Sequence, residues 1–506
     1  MLKSAKPRLY VAGLVLAAFT CLATLSTLPP GVGAQSQTFS ISGRVDSNGF
    51  GTGTPAPDVT MTLTNNTTGA TLNTQTDANG QYSFTGLAAG SDYTVSPSKS
   101  GFTFNPTSRG FSNLGQNWTS QNFAATATAT ATVQFSGASY SASESEHAVQ
   151  ITVTRSAGAG SASVAYSTSD GTASSRRDYT FAAGTLAFAD GQTSKTFTVL
   201  LADDTYAEGD ETVQLTLSQP TGAALGAPAA ATLTITSNDA AGLPNPIDGS
   251  EFFVRQHYHD FLNREPDASG LAFWVGDIEQ CGADAACRQA KRINVSAAFF
   301  LSIEFQQTGY LVYTAYKAAY GDATSPNVPG TVPVIRLNEF LLDAQRIGQG
   351  VVVGATGWEQ QLESNKQAYF LEFVGRGRFV GAFPGSLTPT QFVDALNTNA
   401  GGVLDAAERT NLINELTANN TNPGRASVLR KVAEDADLRQ REFNRAFVLM
   451  QFYGYLRRNP DDPQDTDFRG WRFWLDKLEQ FNGNYIAAEM VKAFLDSVEY
   501  RQRFGQ

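Results

Sequence analysis

The hydrophobic pattern of this chain changes its period once, near residue 240. Before that point, short apolar runs such as 196–201 and 212–217 alternate with polar residues and are separated by Gly, Asn and Asp. A period of two residues is typical of half-buried β-strands. After the segment 240–246, which contains Pro and Gly, apolar residues recur at a spacing near 3.6, as in amphipathic helices. The pattern therefore predicts a multidomain protein, with two all-β sandwiches followed by a mainly α-helical domain over 247–506.

Residues 1–34 have the pattern of a cleaved signal peptide. Three basic residues precede an apolar run over 10–25, and a row of small residues ends at Ala34. Cys21 lies inside that run, where lipid attachment is an alternative, but the run continues past it and a better cleavage site follows. No later apolar stretch is long enough to span a bilayer. We therefore expect a protein that is secreted, extracellular or held at the cell surface.

The composition is acidic, with 47 Asp and Glu against 36 Lys and Arg and a net charge of −11 over 506 residues. Nucleic acids and anionic membrane surfaces both bind clustered Lys and Arg. The charge therefore argues against either of them as a partner.

The cysteines and histidines limit the metal chemistry that the chain can carry. Cys281 and Cys287 are close in sequence, and in an oxidising compartment such a pair is most simply a disulfide. A zinc site is the weaker interpretation, because no third Cys or His lies nearby to complete it. The chain has 3 histidines, namely His147, His257 and His259, and these do not favour a His-based metalloenzyme.

Residues 37–125 alternate apolar and polar positions, with turns at 77–80 and 89–90, and so predict a small antiparallel β-sandwich. The segments 41–45, 79–87, 93–95 and 101–104 resemble the carboxypeptidase regulatory-like (transthyretin-like) repeat of bacterial surface proteins. In that repeat we expect Gly80 to relieve a tight turn, and Tyr82, Phe84 and Leu87 to fill the sandwich. The resemblance implies a spacer, with carbohydrate or protein binding as the alternative. The Ala and Thr alternation over 124–132 predicts a short extended linker.

A second β unit follows, over about 126–239. Its strand signals have the number and spacing of an immunoglobulin-like sandwich, and are found at 133–135, 149–155, 163–167, 184–188, 196–201, 212–217 and 231–235. The unit resembles a Calx-β domain in a set of motifs that occur in order, namely 140–144, 153–155, 166–173, 178–179, 184–188, 203–211 and 238–239.

The stretch 203–211 holds five carboxylates in nine residues between two strand signals. Such carboxylates repel one another unless a cation lies among them, and hard oxygen donors suit Ca²⁺. A solvated acidic turn is the alternative. The Calx-β resemblance implies one set of oxygen donors for Ca²⁺, namely Glu144, Asp178, Asp203, Asp204, Glu208, Glu211 and Asp239. Arg176 and Arg177 stand next to this set and would compete with a divalent cation.

The helical region contains an internal duplication, with units at about 250–310 and 445–505. In each unit a tyrosine-rich segment precedes a Pro-Asp pair, then Gly, then Phe-Trp, and finally a Ser-x-Glu-aromatic segment. This pattern is similar to a helical bacterial domain of unknown function (the 4214 type), found in exported proteins, some of them associated with surface layers and exopolysaccharide. Trp274 and Trp474 are predicted core anchors, with sugar stacking as the alternative.

The sequence lacks a Gly-x-Ser-x-Gly elbow, a His-Glu-x-x-His pair and a phosphate-binding glycine loop, so we expect no enzyme. The predicted function is that of a secreted or cell-surface structural or adhesive protein, with a Calx-β module that binds calcium and a helical interaction domain. A carbohydrate-binding accessory protein of the extracellular matrix is the second interpretation. An undetected hydrolase is the third, because paired carboxylates are abundant.

Overall fold

The computed structural model describes residues 37–47, 53–99, 101–127, 131–158, 160–240 and 242–505. The chain divides into two compact units, one ending at Ala129 and the other beginning at Thr130. The predicted signal peptide, residues 1–34, lies outside the described residues. Among the described residues, no helix has the length and apolar character needed to cross a bilayer.

The first unit is a β-sandwich built from two sheets in which most neighbouring strands are antiparallel. One sheet has the order β2-β1-β9-β7, with β5 also paired to β1, and the other has the order β4-β3-β6-β8. The strands are β1 (Thr38–Ser47), β2 (Thr54–Pro55), β3 (Thr60–Asn65), β4 (Thr71–Gln75), β5 (Gln81–Ala88), β6 (Tyr93–Ser98), β7 (Phe102–Asn105), β8 (Arg109–Phe111) and β9 (Phe123–Ala127).

Strand β5 shows why this sequence forms a sandwich. Tyr82, Phe84 and Leu87 point into the core, while the polar residues between them are exposed. Gly80, just before the strand, has a φ of +72°, and a Cβ there would overlap the carbonyl oxygen of Val45. Only glycine fits this turn without strain.

The predicted linker over 124–132 differs in its first part from the structure. Strand β9 continues to Ala127, pairing in parallel with β1 and antiparallel with β7. The Ala and Thr alternation therefore serves as strand pattern up to that residue. An extended peptide with small side chains fits between two neighbouring strands, and pairing satisfies its backbone groups.

The second unit begins with an immunoglobulin-like sandwich, which confirms the predicted fold class. Its two sheets have the orders β14-β16-β12-β10-β18 and β11-β19-β17-β13-β15. All the predicted strand segments lie in strands, and β11, β14 and β18 are additional. The strands are β10 (Thr132–Phe135), β11 (Ser139–Ser143), β12 (Ala148–Arg155), β13 (Ala162–Asp170), β14 (Tyr179–Thr180), β15 (Ala183–Phe188), β16 (Ser194–Leu201), β17 (Glu211–Thr221), β18 (Ala224–Leu225) and β19 (Ala230–Thr236).

The rest of the second unit is mainly helical, as its hydrophobic period predicted. Its helices are α1 (Ser250–His257), α2 (Ala268–Glu279), α3 (Ala285–Leu301), α4 (Ile303–Gln307), α5 (Gly309–Tyr320), α6 (Leu337–Gly348), α7 (Trp358–Phe373), α8 (Gly377–Ala382), α9 (Pro389–Ala400), α10 (Ala406–Ala418), α11 (Asn422–Ala433), α12 (Ala436–Gln451), α13 (Arg469–Gln480), α14 (Met490–Leu495) and α15 (Val498–Arg501). A short β-ribbon, β20 (Asp322–Ala323) and β21 (Val332–Pro333), follows α5. One continuous apolar core joins these elements.

The two duplicated segments have the same local architecture. In each, a helix ends in a π-helical turn, Tyr258–Leu262 or Phe452–Leu456, and the next residue is left-handed. In each, an arginine then grips a glutamate bidentately: Arg264 holds Glu304, and Arg458 holds Glu499. The repeated sequence thus encodes a repeated ion pair between the π-helical turn and the later Ser-x-Glu segment.

The helical region packs directly against the second sandwich. The side chain of Gln345 in α6 accepts a 2.7 Å hydrogen bond from the amide of Ala183 and donates to the carbonyl of Phe181. In the predicted linker 240–246, Asn245 is buried and donates to the carbonyl of Arg501 at 2.9 Å. The change of period at 240 therefore marks a change of secondary structure within one compact unit.

Candidate metal centre

Strand register brings all the predicted oxygen donors to one end of the second sandwich. Strands β11 and β19 run parallel with Ser143 opposite Thr236, so the residues that follow both strands meet there. Strand β17 is antiparallel to β19 and starts at this same end, with Glu211 opposite Ile235. The end of β16 pairs with the start of β14, which places segment 202–210 beside 174–178.

A first cluster contains Glu144, Asp204 and Asp239. One carboxylate oxygen of each lies within 4.8 Å of the others. Glu144 accepts a 2.9 Å hydrogen bond from the amide of Asn238, and Asp204 accepts one of 2.8 Å from the amide of Tyr206. The Oδ2 atom of Asp239 is buried and has no hydrogen-bond partner within the described part of the chain. Backbone amides thus fix two of these carboxylates, while the third presents a bare oxygen.

A second cluster contains Asp178, Glu208 and Glu211, again with one oxygen of each within 4.8 Å of the others. Asp178 is buried and accepts a 2.6 Å hydrogen bond from the amide of Ser174. Glu208 is exposed and Glu211 is half-buried. The second cluster is therefore more open to solvent on one side than the first.

The remaining predicted site residues lie outside these two clusters. Asp203 accepts a 3.2 Å hydrogen bond from the side chain of Asn238, beside the first cluster. Cys281, just after α2, and Cys287, in the first turn of α3, form a disulfide with their Cα atoms 5.5 Å apart.

The carboxylates of both clusters resist ionisation. Burial raises the pKa of Glu144 to about 7, and the nearby Asp239 raises it further. Burial and neighbouring carboxylates raise the pKa of Asp204 to about 8. For Glu211, burial and Asp178 raise the pKa to about 8. Burial raises the pKa of Asp178 and of Asp239, and burial together with Asp178 raises the pKa of Glu208. Each cluster thus holds carboxyl groups whose negative charge is not fully compensated by the surrounding residues.

Of the two arginines expected to compete with a cation, one is directed elsewhere and the other lies near the second cluster. Arg176 pairs with Glu499 of the helical region. The guanidinium of Arg177 lies 5.6 Å from the centre of the Tyr206 ring, and its charge only partly offsets the rise in the pKa of Glu208 and Glu211. Over the residues that the structure describes, none of the seven predicted donors forms an ion pair with Lys or Arg.

This donor set fits Ca²⁺. It consists of hard carboxylate oxygens, and Ca²⁺ takes 6–8 oxygen ligands in flexible geometry. The carboxyl groups of Glu144 and Asp239 lie against each other, and Oδ2 of Asp239 accepts no hydrogen bond from an N–H or O–H donor among the described residues. A cation bound at the first cluster would satisfy it and lower the pKa of all three carboxyl groups.

The sequence did not indicate the supporting donors. The amides of Ser174 and Asn238 orient two of the carboxylates, but backbone groups carry no signal in the residue types. Only the hydrogen bond from the amide of Tyr206 to the side chain of Asp204 has a recognisable local signature, because an Asp that accepts from the amide two residues later forms an Asx-turn.

A serine–histidine pair in the helical region does not form a catalytic site. Nε2 of His257 lies 2.9 Å from Oγ of Ser296, but Nδ1 is bonded to the carbonyl of Phe253 and both side chains are buried. Burial lowers the pKa of His257 to about 4. A neutral histidine enclosed by aromatic rings serves packing and has no access to a substrate.

Three families match the chain, in the order that the motifs indicated. Residues 40–136 match the carboxypeptidase regulatory-like domain, residues 127–239 match the Calx-beta domain, and residues 248–308 match a domain of unknown function, DUF4214. No enzyme family is among these matches. The third match covers nearly all of the first copy of the duplicated unit.

Curated relatives are similar to the chain over a short stretch. Sodium/calcium exchanger 1 of Bos taurus and of Cavia porcellus are each 36% identical to it over 98 residues, which cover 16% of this chain and 10% of each exchanger. The chain therefore spans about a tenth of the length of these relatives.

Solved structures with similarity to the chain include calcium-binding and pilin proteins. The apo-form Calx CBD1 domain is 31% identical, with a TM-score of 0.22, and covers 22% of this chain and 100% of its own. The calcium-binding domain CBD12 of CALX1.1 is 33% identical, with a TM-score of 0.21 and coverages of 22% and 47%. The major pilin subunit BcpA of Bacillus cereus is 10% identical, with a TM-score of 0.19 and coverages of 40% and 70%.

Proposed function

We propose that this chain is a secreted or cell-surface structural protein whose Calx-β module binds Ca²⁺ through the two carboxylate clusters. The observation that carries the proposal is the combination of six converging carboxylates, their raised pKa values and the lack of a Lys or Arg partner among the described residues. Glu144, Asp204 and Asp239 would hold one ion, and Asp178, Glu208 and Glu211 another. Asp203 would support the first ion from beside Asn238.

In this role the ion neutralises carboxylates that otherwise repel one another. The first cluster draws residues from three separate segments and the second from two, so a bound ion connects the ends of several strands. Binding energy available only to the folded state adds to its stability. A sandwich fixed in this way suits a module that transmits force or holds spacing outside the cell.

The test is a calcium titration by calorimetry on the full chain, with two matched variants. Asp204→Asn removes one charge from the first cluster, whereas Asp210→Asn removes one from an exposed position in the same loop, outside both clusters. We expect Asp204→Asn to weaken binding at the first cluster at least 10-fold and Asp210→Asn to weaken it less than about 3-fold. Absence of calcium binding by the unmodified chain would refute the proposal, and so would equal effects of the two variants.

A second candidate function is carbohydrate binding by the duplicated helical units. Phe273 and Phe473 are 65% and 58% exposed, and each lies in a T-shaped contact with its neighbouring half-buried tryptophan, Trp274 or Trp474. Exposed aromatic faces at equivalent positions can stack on sugar rings. A glycan array on the full chain tests this candidate, and Phe273→Ala combined with Phe473→Ala should abolish any binding. Leu371→Ala, an exposed apolar residue elsewhere in the helical region, is the control.

A further inference from the structure

The loop that carries the first cluster makes direct contact with the last turn of the helical region. The backbone amide and the hydroxyl of Thr205 both donate to the carbonyl of Phe504, each at 3.0 Å. The hydroxyl of Tyr206 donates to the carbonyls of Gln502 and Gly505, at 3.0 and 3.2 Å. We call residues 499–505 the terminal turn.

The segment that carries Asp178 also contacts the terminal turn. Arg176 forms an ion pair with Glu499, and Nε of Arg503 donates to the carbonyl of Arg176 at 2.9 Å. Arg177 lies over the ring of Tyr206 and so connects the two gripping segments. Both of the segments that supply most of the candidate metal ligands therefore contact the terminal turn.

No flexible spacer separates the ligands from these contacts. Asp204 immediately precedes Thr205, and its Oδ1 accepts a hydrogen bond from the amide of Tyr206. The amide of Glu208 donates to the carbonyl of Tyr206 at 2.8 Å. Asp178 is two positions from Arg176 in the chain. A displacement of the carboxylates must therefore displace the groups that hold the terminal turn.

The terminal turn is itself a rigid part of the helical region. Tyr500 and Phe504 are fully buried in its core. The guanidinium of Arg503 forms a bidentate ion pair with buried Asp260, with distances of 2.8 and 3.0 Å. The turn cannot follow a moving loop without loss of these contacts, so separation would occur at the interface.

We propose that calcium is an intramolecular latch, which fastens the helical region to the sandwich through the terminal turn. This inference rests on the proposed function. With both ions bound, the segments 174–178 and 203–208 hold the positions that grip the turn. When the ions leave, nothing holds the carboxylates together, those that ionise repel one another, and the two segments separate from the terminal turn.

Thermodynamic linkage makes this latch reciprocal. If calcium strengthens docking by a given factor, docking strengthens calcium binding by the same factor. A change confined to the terminal turn should therefore lower calcium affinity, even though it touches no carboxylate. This consequence distinguishes a latch from a metal site that merely lies near an interface.

Gly505 offers a variant that changes no charge and no ligand. A Cβ at this position would overlap the hydroxyl oxygen of Thr205 and force it away from the carbonyl of Phe504. The matched control is Gly381 in α8, where an added Cβ meets nothing within 4 Å. Tyr206→Phe is a second variant, which removes only the hydroxyl that bonds the terminal turn. Its control is Tyr140→Phe, which removes a hydroxyl bonded inside the sandwich to the carbonyl of Thr152.

The experiment measures two quantities on the full chain: calcium affinity by calorimetry, and hydrogen exchange of segment 181–188 by mass spectrometry. That segment contains the amide of Ala183, which is bonded to Gln345 across the same interface but away from the carboxylates. We expect Gly505→Ala and Tyr206→Phe each to weaken calcium binding about 5-fold, the worth of one ordinary hydrogen bond. Chelation should speed hydrogen exchange of segment 181–188 in the unmodified chain. The two control variants, Gly381→Ala and Tyr140→Phe, should match the unmodified chain in calcium affinity and in hydrogen exchange.

The outcomes separate failure of the latch from failure of the proposed function. If the unmodified chain binds no calcium, the proposed function fails and the latch fails with it. The latch alone is overturned by a different result. In that result Gly505→Ala and Tyr206→Phe bind calcium as tightly as the unmodified chain does, and chelation leaves hydrogen exchange of segment 181–188 unchanged. An equal loss of affinity in Gly381→Ala or Tyr140→Phe would also overturn the latch, because it would show general softening of the fold.

Discussion

At the scale of single residues, burial decides two things: how readily a carboxyl group ionises, and how much a change in side-chain volume destabilises the fold. Glu144, Asp178 and Asp204 are buried carboxylates that accept backbone hydrogen bonds yet have no Lys or Arg partner among the described residues. Burial without a cation costs free energy as soon as the group ionises. Stability without calcium should therefore depend on pH in a direction opposite to that of ordinary paired carboxylates.

This dependence gives a pH prediction. Glu144, Asp204 and Glu211 have ordinary pKa values of 4.5, 3.8 and 4.5, and in the folded protein these rise to about 7, 8 and 8. Between the ordinary pKa values and the raised ones, the folded state holds more protons than the unfolded state, so the free energy of unfolding falls as pH rises. We expect the melting temperature in chelator to fall from pH 5 to pH 8 and then to level off.

Calcium should remove most of that pH dependence, because the ion takes the place of the protons. The same competition predicts that calcium affinity weakens as pH falls from 8 to 6. Melting curves at a series of pH values, with saturating calcium and with chelator, check both statements. A chelated protein that gains stability between pH 5 and pH 8 would contradict the raised pKa values.

A second prediction at this scale concerns the tryptophans. Trp274 and Trp474 were predicted core anchors, but both are half-buried, and Trp471 is the tryptophan that is fully enclosed. Its indole Nε1 donates to the carbonyl of Arg445. Trp471→Ala should cost about 3–5 kcal/mol of unfolding free energy, as large aromatic deletions in a core do. Trp274→Ala should cost clearly less, and denaturant unfolding of both variants decides the order.

At the scale of elements, the two duplicated segments are organised around the crossing of their π-helical turns. Phe261 and Tyr455 meet there with ring centres 5.4 Å apart. Gly454 lies directly against Phe261, and a Cβ on it would come within 2.5 Å of the ring. The two turns can therefore cross this closely because the second copy has a glycine, Gly454, at the point of contact.

Gly454→Ala should therefore separate the two turns and destabilise the helical region. Overpacking in a tight core typically costs about 1–3 kcal/mol. Gly276→Ala in α2, where the added methyl group meets nothing within 4 Å, should be neutral or slightly stabilising. Urea unfolding of the two variants measures the difference, and equal midpoints would show that the crossing tolerates the extra volume.

At the scale of the whole molecule, the sandwich and the helices of the second unit share an interface, whereas the first unit has a core of its own. A bound ion stabilises only the folded unit that holds it. We therefore expect two thermal transitions in calorimetry. Chelation should lower the transition of the second unit by several degrees and leave that of the first unit unchanged. A parallel decrease of both transitions would contradict the assignment of the clusters to the second unit alone.

The sequence by itself determined the fold class and the order of the families. The alternation of apolar and polar residues in β5 and the 3.6-residue spacing of apolar residues after 246 predict which side chains are buried. They do so because each strand or helix must present one apolar face to a core. Thr388 caps the start of α9 in an equally local way, since its side chain accepts a hydrogen bond from the amide of Gln391. Such features involve only residues that are neighbours in the chain.

The tertiary structure alone decided which charges meet. The residue types named seven acidic candidates, but only strand register sorted six of them into two clusters and left Asp203 beside the first. Sequence spacing likewise suggested that Arg176 would oppose a metal, whereas folding carries it to Glu499 at the far end of the chain. Electrostatic interactions depend on distance in space and on burial, and neither quantity is encoded in local pattern.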